Sequence, residues 1–192
     1  EKENVAEIRK VLTATAPNQF AGMLFLTEKM VTSGQKDFPL MVGGILIVLI
    51  VLLLADFQSF KFLFLSLAPL FFSAVVSMGL ICMSGTTISI LMLFAFPLIF
   101  GIGIDDGVHI LHRYREDQNL LHAVSQTGRA IFLTTVTTLV SFGSLLFTNH
   151  NGLMGIGILV GIGVTFCFLF SITLLPALLV LTEPSKNYSL HN

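Results

Sequence analysis

Five long apolar stretches separated by short polar ones predict a bundle of helices that cross a membrane. The apolar stretches cover residues 39–55, 62–83, 88–112, 130–147 and 153–181. A helix rises by about 1.5 Å per residue, so even the shortest stretch is long enough to cross the apolar part of a bilayer. The predicted fold is therefore all-α, with five transmembrane helices in a domain that covers residues 39–182.

The polar beginning of the chain predicts a segment outside the membrane. Residues 1–38 contain half of the Lys and Arg residues, which cannot lie in the apolar part of a bilayer. The pattern predicts an amphipathic helix ending near Pro17, a short strand at 19–26 and a second helix at 27–35. These elements are too few to enclose a core, so we interpret residues 1–38 as the C-terminal end of a larger α+β domain.

Two further segments are predicted to lie outside the five spans. Residues 118–127 place Leu120, Leu121 and Val124 on one face of a helix, which is typical of an interfacial helix that ends before Gly128. Residues 183–192 are polar and form a predicted tail.

Composition also favours a membrane protein and argues against a nucleic-acid-binding protein. Hydrophobic residues make up 54% of the chain and charged residues 11%, against about 25% charged residues in a typical soluble domain. The net charge is -1, and the basic residues form no stripe that would follow a nucleic-acid backbone. We therefore predict a membrane protein that does not bind nucleic acid.

Asp105 and Asp106 interrupt the third predicted span and are the leading functional candidates. No residue between positions 62 and 104 is charged. An Asp at the middle of a membrane helix costs roughly 2.5 to 3.5 kcal/mol on insertion scales, so two adjacent carboxylates there indicate function. The glycines around them would let a neighbouring helix approach closely, and they are Gly101, Gly103 and Gly107.

His109 extends the acidic pair into a candidate proton relay. On a helix, Asp105 and Asp106 both lie about one turn from His109, and His112 follows one turn later. A carboxylate and an imidazole on one face can exchange protons. The alternative for both histidines is a position at the membrane interface, where a His side chain costs little.

Hydroxyl groups recur along the fourth predicted span, at Thr134, Thr137, Thr138 and Ser141. Their spacing of three and four residues places them on one side of the helix, where they could support the Asp pair by hydrogen bonds. The alternative is that each hydroxyl bonds the carbonyl group of a preceding turn. In the fifth span, Gly157 and Gly161 predict close packing against another helix.

Other chemistries fit the sequence less well. An intramembrane aspartyl protease needs its two Asp residues on two helices, whereas both lie on one helix here. A metal site built from Asp105, His109 and His112 would lack a thiolate or further ligands in register. We therefore expect no catalytic residues, no metal and no cofactor.

The loop charges predict the orientation in the membrane. Five basic residues fall on one side of a five-span arrangement, and they are Lys61, Arg113, Arg115, Arg129 and Lys186. The two short loops on the other side contain no Lys or Arg. By the positive-inside rule, the basic side and the C-terminus are cytoplasmic and residues 1–38 are periplasmic.

Three stretches resemble the resistance-nodulation-division (RND) superfamily of transporters, in its branch of MMPL proteins and hopanoid exporters. The stretches are 101–116 (GIGIDDGVHILHRYRE), 127–138 (TGRAIFLTTVTT) and 174–178 (LLPAL). The resemblance implies half of a transporter of the bacterial inner membrane, with five of its twelve helices after the end of a periplasmic domain. The branch usually has Asp-Tyr where Asp105-Asp106 stands, so Asp105 is the better match to the family's residue.

The resemblance also implies a function. It indicates part of an exporter of lipids or other hydrophobic substrates that is driven by the proton motive force, with the Asp pair as proton relay. Its expected partners are protons, membrane lipids, the substrate and the remaining half of the transporter, while a homo-oligomer stays open. The same five helices resemble a sterol-sensing domain, so the alternative is a lipid-binding regulatory module without transport.

Overall fold

The computed structural model of the chain describes residues 20–85 and 90–182, with the side chains of residues 36–85, 91, 92 and 94–182. Every regular element in these residues is helical. The α-helices are α1 (Phe20–Phe57), α2 (Phe60–Met83), α3 (Ile90–Leu93), α4 (Ala95–Asp117), α5 (Leu120–Gly143) and α6 (Asn151–Thr182), and a 3-10 helix (Ser144–Phe147) follows α5. The chain divides into two compact units, Glu1–Leu40 and Met41–Asn192, and all predicted site residues belong to the second unit.

Four segments of the described chain are long and apolar enough to cross a membrane. They are Lys36–Phe57, Phe60–Met83, Leu120–Phe147 and Asn151–Thr182. The predicted third span, 88–112, is not among them, because the Asp pair and the histidines lower the hydropathy of α4. A multi-pass membrane protein is therefore supported, and the count of five spans stays a prediction.

Two details predicted for the extramembrane and interfacial segments are wrong. The strand predicted at 19–26 is helical from Phe20 onward, as part of α1. Gly128 does not end a separate interfacial helix, since α5 continues from Leu120 to Gly143. A single Gly inside a helix costs only about 1 kcal/mol relative to Ala, which the rest of a long helix offsets. The helix predicted to end near Pro17 and the tail at 183–192 lie outside the described residues.

The third predicted span is divided near its beginning. Helix α3 ends at Leu93, Phe94 forms a turn, and α4 begins at Ala95. Pro97 then lies in the first turn of α4, where the missing N–H group would have no partner within the helix. The break thus lies just before Pro97, and the part of α4 that carries the Asp pair is regular.

Helix α4 packs against three helices, α2, α5 and α6. Ile99, Ile110 and Leu111 on α4 are fully buried by these neighbours. Helices α2 and α6 also pack against each other. The contacts of α4 cover one side of this helix, including Asp106, and leave Asp105 and His109 exposed on the other side.

Candidate functional site

Two glycines bring α4 into close contact with its neighbours at the level of the Asp pair. A Cβ atom on Gly103 would lie 2.7 Å from Cys167 Sγ of α6 and 3.1 Å from Leu70 Cδ1 of α2. A Cβ atom on Gly107 would lie 3.2 Å from the carbonyl oxygen of Ser66. A side chain at Gly103 would thus force Cys167 to move, and one at Gly107 would press on the backbone of α2, so both glycines favour the observed helix separation. Gly101 has no such contact, because nothing lies within 4 Å of its Cβ position.

The two carboxylates differ in their exposure although they are neighbours in the sequence. Asp106 is buried, with 7% of its surface exposed. Asp105 is exposed, as is His109 one turn later. Successive residues on a helix point about 100° apart, so one carboxylate can lie between helices while the next faces outward.

All three predicted relay residues line one cavity of about 420 Å³ between α4 and α5. Asp105, Asp106 and His109 form its α4 wall together with Gly101 and Ile102. The opposite wall belongs to α5 and contains four threonines, Thr127, Thr134, Thr135 and Thr138. The cavity thus combines two carboxylates, an imidazole and several hydroxyl groups.

The hydroxyl groups on α5 donate their hydrogen bonds within their own helix. Thr134 and Thr135 both donate to the carbonyl oxygen of Ile131, at 2.9 and 2.8 Å. Thr138 donates to the carbonyl oxygen of Thr134 at 2.9 Å. A hydroxyl that donates its one proton in this way keeps its oxygen lone pairs as acceptors. The threonines of the cavity can therefore accept a hydrogen bond from water or from a protonated carboxyl group.

Two of the four predicted hydroxyl residues lie outside the cavity lining. Thr137 and Ser141 are exposed and donate to the carbonyl oxygens of Thr134 and Thr137, at 2.9 and 2.8 Å. Thr134 and Thr138 do line the cavity, and the sequence reading missed Thr127 and Thr135. The signal was present, because Thr127, Thr134 and Thr138 are spaced by seven and four residues and so share one face of a helix.

The two histidines of α4 have different surroundings. His109 lines the cavity, whereas His112 Nε2 lies 2.6 Å from Asp56 Oδ2 at the end of α1. The His112 ring also stacks on Phe57, with 4.9 Å between the ring centroids. His112 therefore fastens the turn between α1 and α2 to α4 and is separate from the candidate relay.

The predicted packing glycines of α6 are not equally crowded. A Cβ atom on Gly157 would lie 2.7 Å from the carbonyl oxygen of Phe142 on α5. At Gly161 the nearest atom would be Leu139 Cδ2 at 3.8 Å, which is an ordinary contact. Both glycines line an apolar groove of about 400 Å³ between α5 and α6.

A set of buried hydroxyl and thiol groups was not identified as functional from the sequence. Ser66, Ser73, Ser77, Cys167 and Ser171 are all buried between α2, α4 and α6. Ser66, Ser73 and Ser77 are spaced by seven and four residues in an apolar helix, and that spacing places them on one face. The spacing was a usable signal for a polar seam.

Similarity to known proteins covers nearly the whole chain. The sequence profile of the MMPL family matches residues 1–188. A membrane protein of Methanocaldococcus jannaschii is 30% identical over 186 residues, which is 92% of this chain and 45% of that protein. The sulfolipid-1 exporter MmpL8 of Mycobacterium tuberculosis is 28% identical over 192 residues, which is 93% of this chain and 18% of the exporter.

The hopanoid transporter HpnN of Rhodopseudomonas palustris is a further relative. It is 29% identical over 153 residues, which is 75% of this chain and 17% of the transporter. The chain therefore spans less than half the length of these three relatives. Because the family profile covers residues 1–188, the chain belongs to the MMPL family, as the resemblance of its three sequence stretches predicted.

Proposed function

We propose that this chain forms part of a proton-driven exporter of lipids or other hydrophobic molecules in the bacterial inner membrane. One relative is named as a sulfolipid exporter and another as a hopanoid transporter. The observation that carries the proton-coupled part is the cavity in which Asp105, Asp106 and His109 meet the threonines of α5. In this proposal residues 1–38 are periplasmic and the C-terminus is cytoplasmic.

The proposed coupling begins with neutralisation of a carboxylate. A proton that binds Asp105 or Asp106 removes one of two adjacent negative charges from a helix packed on three sides. The protonated carboxyl group becomes a hydrogen-bond donor, and the cavity-lining threonines, Thr134 and Thr138 among them, have oxygen lone pairs to accept from it. Protonation therefore favours a closer approach of α4 to α5, and deprotonation favours a wider, hydrated cavity.

The available driving force is sufficient for such a change. A proton that crosses 100 mV releases about 2.3 kcal/mol. This energy shifts an equilibrium between two arrangements of α4 and α5 by a factor of roughly 50, since about 1.4 kcal/mol corresponds to a factor of ten. We infer that one proton per cycle is enough to reverse a balanced two-state packing change.

The test uses Asp105→Asn and Asp106→Asn in the intact transporter that contains this chain, reconstituted in liposomes with a pH-sensitive dye inside. Each variant is expected to reduce proton flux by about 100-fold, at the low end of the contribution of a positioned proton-transfer group. Glu116→Gln is the matched control, because Glu116 is an exposed acid on the same helix that pairs with Arg113. Wild-type flux in both Asn variants would refute the relay.

The alternative is a lipid-binding regulatory module without transport. The apolar groove of about 400 Å³ between α5 and α6 favours it, since a groove lined by Leu139, Leu146 and Phe166 can hold an acyl chain or a sterol ring. The same liposome assay separates the two functions. A lipid-binding module would show no proton flux in the wild-type protein, and the Asp→Asn variants would leave lipid binding unchanged.

A further inference from the structure

A seam of buried hydroxyl and thiol groups lies beside Asp106, between α2, α4 and α6. Ser73 and Ser77 of α2 and Cys167 and Ser171 of α6 are each 0% exposed. The cavity lining described above contains none of these four side chains. The seam is therefore a second polar environment, distinct from the cavity that Asp106 also borders.

Asp106 and Ser171 lie at the same level of the bundle. On α4, Asp106 lies between Gly103 and Gly107, and these glycines face Cys167 and Leu175 of α6 respectively. Ser171 lies between Cys167 and Leu175 on α6. The carboxylate and the hydroxyl thus occupy matching positions on two helices that pack against each other and run in the same direction.

Among the fully buried side-chain nitrogen and oxygen atoms that the structure describes, only Ser171 Oγ has no hydrogen-bond partner. A buried hydroxyl without a partner is unfavourable, so its presence requires an explanation. Cys167 lies four residues before Ser171 on α6, so the two side chains are neighbours on one face of the helix. Cys167 is also four residues after Gly163, whose carbonyl oxygen accepts from Ser73 of α2. Cys167 therefore lies between the unpartnered hydroxyl and the hydroxyls of α2, and beside Gly103, which is three residues before Asp106.

The polar groups continue along α2 away from Asp106. Cys167 Sγ lies 3.1 Å from the carbonyl oxygen of Gly103, and Ser73 Oγ donates to the carbonyl oxygen of Gly163 at 3.1 Å. Ser77 Oγ donates to the carbonyl oxygen of Ser73 at 2.6 Å. Going from Cys167 to Ser73 and then to Ser77 leads toward the Met83 end of α2. The basic residues that follow His112 on α4 lie at the other end of the bundle.

We propose that the seam of Ser77, Ser73, Cys167 and Ser171 conducts protons between Asp106 and the membrane face at the Met83 end of α2. The cavity with His109 would then serve the opposite face, so Asp106 would exchange protons with both sides through two different routes. This inference rests on the proposed proton-coupled function. In each transfer a hydroxyl or thiol accepts a proton on a lone pair and releases the proton it held to the next group. The seam ends unchanged, and the carboxylate of Asp106 becomes a carboxylic acid.

Ser171→Ala in the intact transporter is the decisive variant, because it separates a role in conduction from a role in folding. Removing an unpartnered buried hydroxyl is expected to leave the melting temperature unchanged or to raise it. The same change is expected to reduce proton flux into liposomes by about 100-fold. Cys167→Ala should reduce flux similarly, whereas Cys167→Ser keeps a proton-carrying group of similar size and should retain most of it.

Thr173→Val is the control, since Thr173 is an exposed hydroxyl residue on α6, two residues after Ser171, that lies outside the seam and the cavity lining and donates to the carbonyl oxygen of Leu169 in its own helix. Its flux should equal that of the wild type. Full flux in both Ser171→Ala and Cys167→Ala, together with loss in Asp106→Asn, would overturn the seam and leave the proposed function standing. A lowered melting temperature in Ser171→Ala together with lost flux would also overturn it, because the hydroxyl would then be structural. Full flux in the Asp variants would overturn the proposed function itself.

Discussion

At the scale of single residues, Asp105 and Asp106 show how one helical step separates two chemical environments. Asp106 is buried between helices, and Asp105 opens into the cavity beside His109. In the proposed relay, a proton reaches Asp105 from the cavity, while Asp106 also borders the buried seam.

Gly157 and Gly161 allow a test of how closely α5 and α6 approach. Gly157→Ala is expected to destabilise the protein by about 1 to 3 kcal/mol, because its Cβ would press on a backbone oxygen that cannot rotate away. That oxygen belongs to Phe142 and would lie 2.7 Å from the new atom. Thermal unfolding of the detergent-solubilised intact protein measures the change.

Gly161→Ala is the control for that measurement, since its nearest neighbour is a side-chain methyl group of Leu139 at 3.8 Å. Ala should be neutral there, or stabilising, because Ala favours helix over Gly by about 1 kcal/mol. Equal destabilisation by both substitutions would show that the whole small-residue stripe, and not Gly157 alone, sets the helix separation.

The sequence predicted the residue types of the site better than their orientation. The Asp pair could be recognised because a charge in an apolar run is costly whatever the fold, and His109 followed from helical spacing. Which threonines face the carboxylates depends on the rotation of α5 about its axis, and packing against α4 and α6 determines that rotation. A single sequence does not determine this rotation. The predicted polar face therefore included Thr137 and Ser141 and missed Thr127 and Thr135.

At the scale of helices, the positions of the long apolar segments could be predicted from the sequence. The residues at which one helix ends and the next begins were harder to predict. The four candidate spans correspond to four of the five predicted apolar stretches. Their ends shift by three residues or fewer, except that Leu120–Phe147 begins ten residues before the predicted stretch 130–147. Gly128 was misjudged as the end of a helix, because a long helix offsets the cost of one Gly. Pro97 is tolerated in α4 because it occupies the first turn.

The turn between α1 and α2 is predicted to be held by packing more than by charge. Phe57 is buried and stacks on His112 and Phe62, and the Arg115 guanidinium lies 5.7 Å from its ring centroid. Phe57→Ala is therefore expected to destabilise the protein by about 3 kcal/mol or more. Unfolding of the intact protein in detergent measures this loss.

Asp56→Asn removes only the ion pair with His112, whose two side chains are 42% and 44% exposed. An exposed pair contributes about 1 kcal/mol or less, so this variant should unfold close to the wild type. If Asp56→Asn were as damaging as Phe57→Ala, the ion pair and not the aromatic stack would hold the turn.

The proposed orientation predicts which loops an impermeant thiol reagent can reach in intact cells. In a Cys82→Ser background, Asn149→Cys should be labelled from outside, because it lies between the 3-10 helix and α6 at the end without basic residues. Glu116→Cys at the other end of the bundle should be labelled only after the membrane is opened. Cys167 is buried and should not contribute to the signal. The reverse pattern would invert the topology.

At the scale of the whole molecule, the described helices leave polar groups on surfaces that no neighbouring helix covers. Asp105, His109, Thr134 and Thr137 are exposed, and α5 is the least buried of the candidate spans other than Lys36–Phe57. Lipid would not satisfy these groups, and an ionised carboxylate in an apolar medium is costly. The surface around Asp105 therefore suits contact with further protein more than contact with lipid.

The final prediction is that the 192-residue chain does not transport protons by itself. Its relatives are more than twice as long, and the exposed polar surface of α4 and α5 would face lipid unless other helices covered it. That exposure costs several kcal/mol, which self-association would relieve. The isolated chain should therefore form oligomers in detergent, measured by light scattering, and show no pH-driven flux in liposomes. A monomer whose flux depends on Asp105 would contradict this expectation, because the helices described here would then form a complete proton-conducting unit.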